Sequence, residues 1–174
     1  MSTKKMIVSG SIIGFVLLMI TGYSMANAVK TYFSGQEIFV EYLMPPQFVI
    51  LPSGNIKGEF ETLYYEDTDN ERINGYGFVH GTANVNTKGV VQYGGTFIIR
   101  EKLDDIPVSD IANGTLDPEE IQWGDVLWNG TWRNVGSGEN SYIKAVLHSP
   151  DGAKLFYNLD HATGETSGYV LDPQ

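Results

Sequence analysis

The chain has 174 residues, no cysteine, and 11 Lys plus Arg against 21 Asp plus Glu, a formal net charge of −10. Without cysteine there are no disulfides, thiolate nucleophiles, Fe–S clusters or common structural zinc sites. A body this acidic, with its basic residues scattered singly, repels nucleic-acid phosphates and anionic lipid headgroups.

Lys4 and Lys5 open the chain and are followed by an uncharged stretch of 24 residues, Met6 to Val29. The positive-inside rule keeps the amino terminus in the cytoplasm and translocates the rest. Two readings of this stretch stand side by side. As a hydrophobic transmembrane helix it reaches roughly 36 Å at about 1.5 Å per residue, enough for a hydrocarbon core of about 30 Å. Gly10 and Gly14 then form a G-x-x-x-G that lets a neighbouring helix approach closely. As a signal peptide it has a short apolar centre, Gly22 as a helix breaker, and the small residues Ala26-Asn27-Ala28 that suit cleavage before Val29. Either way residues 1–28 are an anchor or a leader, and residues 29–174 form one extracytoplasmic domain in the periplasm or at the cell surface.

That domain reads as strands. In Ile56 to Tyr64 the side chains alternate, with Ile56, Phe60 and Tyr64 on one face and Lys57, Glu59 and Glu61 on the other, the period of a half-buried strand. Further strands are expected at Glu37 to Leu43, Gln47 to Leu51, Ile73 to Val85, Val90 to Arg100, Gly124 to Val135, Tyr142 to Ser149, Ala153 to Leu159 and Tyr169 to Leu171. Turn signals separate them: Pro45-Pro46, Pro52-Ser53-Gly54-Asn55, Asp67 to Asn70, Asn86 to Gly89, Gly136-Ser137-Gly138 and Pro150-Asp151-Gly152. The fold class is therefore all-β, an antiparallel small barrel or sandwich of about 8–9 strands after one N-terminal hydrophobic helix. The glycine-rich face Gly75, Gly77, Gly81 favours the barrel, because bare strand faces mark sharp bending or close approach. Between the strands expected at Val90 to Arg100 and Gly124 to Val135, Leu103 to Gln122 carries six acids and no base. Within it Asp117-Pro118-Glu119-Glu120 has the signature of a short helix start.

Four groups of residues are candidates for chemistry. Asp67, Asp69 and Glu71 offer alternating oxygen ligands for calcium, though position six is Arg72 instead of glycine, and turn formation explains them equally. Trp123, Trp128 and Trp132 cluster along one strand, where Trp128 and Trp132 flank Gly130; they are candidates for contact with a ligand or partner, or for core packing. His80, His148 and His161 do not converge, since the last two fall about 25 Å apart along one hairpin. Asn113 and Asn129 match a glycosylation pattern.

No nucleophile elbow, phosphate loop or metal triad is present. The leading expectation is a non-catalytic accessory or structural subunit of a membrane or envelope complex. It would cross the lipid bilayer through residues 6–29 and hold membrane-protein partners through that helix and the β-domain. The alternatives are a secreted barrel that binds a small apolar or aromatic ligand, and a small-barrel isomerase or cyclase built on a buried acid or tyrosine.

Overall fold

The structure, a computed structural model, describes residues 28–136 and 141–173. The alternating segments form eight strands: β1 (Val29–Ile50), β2 (Ile56–Thr68), β3 (Gly75–Val85), β4 (Val91–Lys102), β5 (Trp123–Val135), β6 (Tyr142–His148), β7 (Lys154–Asp160) and β8 (Glu165–Asp172). Each pairs antiparallel with its chain neighbour and β8 returns to β1, so one sheet closes on itself in place of two packed sheets. The anticipated N-terminal helix, with Gly10 and Gly14, lies outside the described residues. Among the described residues no helix is long and apolar enough to cross a membrane.

Closure is confined to one end. β1 pairs with β8 only from Val29 to Gln36, then runs on to Ile50 against β2 alone. Below that level the sheet is a ring; above it, β1 to β4 rise as a curved apron with β1 as its free lip. The two segments expected as separate strands around Pro45-Pro46 are therefore one strand. A free edge explains this outcome. Proline has no N–H to donate, which an unpaired edge tolerates, and the three register breaks of β1 near Val40, Leu43 and Pro45-Pro46 bend and protect that edge.

The chain fills two cores. Inside the ring Phe33, Phe97, Ile99, Trp128, Trp132, Leu147, Leu155, Tyr157 and Val170 interdigitate. The bare face of β3 makes room for rings: a Cβ on Gly81 would run into Phe60, and one on Gly77 would lie 2.9 Å from Phe97 Cε2. Outside the ring, the acidic crossover between β4 and β5 lies as a strap over β1 to β3. It buries Ile111 and Ile121 against Leu63, Tyr65 and Tyr76.

Asp104 pins this strap. Its carboxylate accepts from Tyr76 Oη at 2.9 Å and from the Gln122 N–H at 2.9 Å, and it pairs with Lys102 Nζ at 2.5 Å. The helix-start signature at Asp117 is realised, since its side chain accepts from the Glu119 N–H at 3.0 Å, but it caps only the 3-10 turn Pro118–Glu120. The chain must turn extended again there to bring the Gln122 carbonyl onto the Leu103 N–H. The α-helix forms earlier, as α1 (Val108–Ala112).

Candidate functional site

Strand parity decides which side chains face inward. On β2 the inner face carries Ile56, Phe60, Thr62, Tyr64, Glu66 and Thr68, so the face that begins apolar ends in an acid. Across the ladder Glu37 of β1 stands directly opposite Glu66. The two carboxyl groups thus share one inner patch. Glu66 is 0% exposed, whereas Glu37 is only partly buried.

Tyr157 reaches the pair from β7. Its hydroxyl lies 2.9 Å from Glu66 Oε2 and 3.3 Å from Glu37 Oε2, so its single hydrogen goes to Glu66 by the shorter contact. Phe33 and Phe97 hold its ring, with centroids 6.1 Å and 5.5 Å away. Burial pushes Glu37 up to about 7, offset in part by the polar groups of Glu66 and Tyr157 beside it. Burial, and then the Glu37 charge, hold Glu66 well above the carboxylate range. The pair therefore holds its protons to higher pH than free carboxyl groups do. Burial and the two carboxylates likewise push the Tyr157 hydroxyl well up, so it acts as a donor and stays neutral.

Several polar atoms around this patch have no partner. Glu66 Oε1, Thr62 Oγ1, Thr166 Oγ1 and Asn134 Oδ1 are buried without a hydrogen bond, and all four residues belong to the inner face. A buried polar atom left unpaired costs about 1–3 kcal/mol, so inward-facing atoms of this kind mark an interior that expects water or a ligand.

Above the acids the inner face is apolar and open. Phe39 pairs with Tyr64 and Tyr42 with Thr62, and the three rings pack edge-on with centroids 5.2 Å (Phe39 to Tyr42) and 5.9 Å (Phe39 to Tyr64) apart. Phe39 is 48% exposed and Tyr42 51% exposed, although both face inward. Phe48, Ile50, Val91 and Tyr93 continue the lining towards the rim. Burial, followed by the Glu37 charge, pushes the Tyr64 hydroxyl up to about 12, which ties the rings electrostatically to the acid pair. Among the described residues no Lys, Arg or His belongs to the inner face.

The residues singled out in the sequence fall elsewhere. Trp128 and Trp132 do share a face across Gly130, but both are core: their indole N–H groups donate to the Arg72 carbonyl at 2.6 Å and the His80 carbonyl at 3.3 Å. Trp123 is apart from them on the outer face, edge-on to Phe78 at 5.1 Å. In the β2–β3 turn Asp69 is engaged by the Ser34 N–H at 2.9 Å and hydroxyl at 3.0 Å, while Asp67 and Glu71 point to solvent. Among the described residues no three His, Cys, Asp or Glu side chains are grouped to hold a metal ion. His80 sits outside the sheet between Glu59 and Glu61, and His148 and His161 lie at opposite ends of a hairpin.

Sequence reasoning missed Glu37, Glu66 and Tyr157. The signal was available for Glu66, because the alternation that put Phe60 and Tyr64 inside reaches it two residues later. No protein-family model matches the chain, and no curated protein or solved structure matches it.

Proposed function

We propose that the β-domain binds a small apolar or aromatic ligand in the open end of the sheet, outside the cytoplasm. One observation carries this reading: Phe39, Tyr42, Phe48, Ile50 and Tyr93 expose large apolar surfaces on a concave inner face, beside polar atoms that lack partners. Apolar surface left in water forgoes about 25 cal/mol per Å² of burial, and contiguous patches of this kind mark binding sites. Below them the same inner face is filled, so the ligand would rest on the Trp132 and Phe60 layer without penetrating the ring. The sequence of residues 1–28, read as an anchor or a leader, supports the location.

The acid pair also meets the condition stated for an isomerase, a buried carboxyl group with a displaced pKa. Glu66 is sealed, however, and the Tyr157 hydroxyl is committed to it, so binding is the reading adopted. The test uses the neutral fluorescent probe N-phenyl-1-naphthylamine with the purified domain. Fluorescence should rise on binding, and Phe39→Ser with Tyr42→Ser should weaken that binding several-fold. Val146→Ser, on the outer face, serves as a control. Absence of enhancement, or equal binding by all variants, would reject the reading.

A second reading keeps the chain as a membrane-anchored accessory subunit. Its support is an outward aromatic row near the start of β1. Tyr32 is 69% exposed and packs on Tyr169, which stacks on Phe156 at 4.7 Å under Lys30 Nζ, itself 3.7 Å from the Tyr169 ring. Aromatic rings and lysines beside an anchor suit a membrane interface or a membrane-protein partner. Replacing Gly10 and Gly14 with leucine should then release the protein from material that co-purifies with it; unchanged co-purification would count against this role.

A further inference from the structure

We infer that the ligand of the open end is an organic cation, an amine on an aromatic or alkyl body, anchored by the Glu37 carboxylate and caged by Phe39, Tyr42 and Tyr64. The inference rests on the binding reading above and adds the charge of the ligand. Three observations carry it. First, the interior holds two acids across one ladder and, among the described residues, no basic side chain to balance them. Paired buried acids without a counter-charge lack the partner that buried charges ordinarily have.

Second, the pair is asymmetric in access. Glu66 is sealed, holds the Tyr157 hydroxyl, and leaves Oε1 unpartnered, while Glu37 is partly accessible. A ligand entering from the apron therefore meets Glu37 first, with Glu66 and Tyr157 as the hydrogen-bonding support behind it.

Third, the neighbours of Glu37 on the open side are rings. Phe39, Tyr42 and Tyr64 form one edge-on cluster, and aromatic faces attract a cation by their quadrupole, more strongly once water is excluded. A neutral apolar ligand explains the rings but leaves the acids unbalanced; an anion is repelled by them. The net negative charge of the whole domain adds a field of the same sign, which draws cations towards the opening.

The titratable groups that face Glu37 are Glu66 and Tyr64 on β2 and Tyr157 on β7, with Tyr42 further along β1; β8 presents Thr166 and Gly168 there. The Tyr64 and Tyr157 hydroxyls are pushed up and stay neutral across the range tested, so the pH dependence of binding belongs to the carboxyl pair. Glu37 ionises near neutrality, and affinity for a cation should rise from pH 5 to pH 8 as it does so.

Isothermal titration of the purified full-length protein with phenethylamine, 2-phenylethanol and phenylacetate tests the inference, because the three share a ring and differ in charge. At pH 8 the amine should bind about tenfold or more tightly than the alcohol, as expected of a charge-assisted contact, and the acid should bind weakest. The advantage of the amine should shrink at pH 5 and disappear in Glu37→Gln. Equal affinity for amine and alcohol, or preference for the acid, overturns the cation inference and leaves the binding of N-phenyl-1-naphthylamine standing. Failure of that neutral probe and of all three ligands overturns both.

Discussion

Glu37 and Glu66 face each other across the β1–β2 ladder on the inside of the sheet, one partly open to solvent and the other sealed, with Tyr157 donating to the sealed one. Like charges opposite one another in a sheet destabilise it, and burial adds to the penalty. The pair therefore works against the fold in proportion to its ionisation.

Stability should accordingly fall as the pH rises from about 4.5 to about 7. An acid whose folded pKa is raised stays protonated in the native state after the unfolded chain has released its proton, so the unfolded state gains in that window. For Glu37 the shift amounts to about 3 kcal/mol, with a further loss of the same sign from Glu66. Differential scanning calorimetry should give a higher Tm at pH 5 than at pH 8. Glu66→Gln should flatten the difference and raise the Tm at pH 8.

Asp104 gives the opposite slope at lower pH. Burial raises its carboxyl, but the N–H groups of Gln122 and Ile106, Lys102 and the Tyr76 hydroxyl outweigh it and hold the group below its ordinary value. Its contribution is complete above pH 4 and disappears as the pH falls further. Tyr76→Phe removes one of these bonds and should cost about 1 kcal/mol. Limited proteolysis should then cut residues 103–122 faster than in the parent protein, while an unchanged cutting rate would show that Tyr76 does not hold the strap.

Gly81→Val should destabilise the domain by about 1–3 kcal/mol, because its side chain enters space filled by the Phe60 ring on the adjacent strand. Urea denaturation followed by tryptophan fluorescence measures this directly. The double variant Gly81→Val with Phe60→Ala should recover part of the loss if the clash is the cause.

Trp128→Phe should cost about 1–3 kcal/mol, since it removes a fully buried indole and its 2.6 Å bond to the Arg72 carbonyl. Arg72→Ala should cost less than about 1 kcal/mol, because its bridges to Asp151 and Asp172 are largely exposed and its carbonyl stays in place. Chemical denaturation of the two variants should rank them in that order.

The strand pattern was legible because period-two alternation is a local property of the chain, and Phe60 and Tyr64 declared the inner face of β2 correctly. Pro45-Pro46 misled because a proline pair reads as a turn, and only the loss of β8 as a partner beyond Gln36 makes β1 a free edge that can carry it. The acid pair escaped notice for a related reason. Glutamates in strands usually face water, and the pairing of residues 37 and 66 depends on the ladder register, which no local pattern encodes. The tryptophans drew attention by their size, yet size also makes a core, and that is where Trp128 and Trp132 went.

The most direct measurement is a ¹H–¹⁵N NMR titration of the domain with phenethylamine at pH 8. The account predicts that the largest shifts fall on the amides of Glu37, Phe39, Tyr42, Tyr64 and Glu66, and that they diminish at pH 5. Shifts confined to the outer row of Tyr32, Phe156 and Tyr169, or absent at saturating ligand, would contradict it.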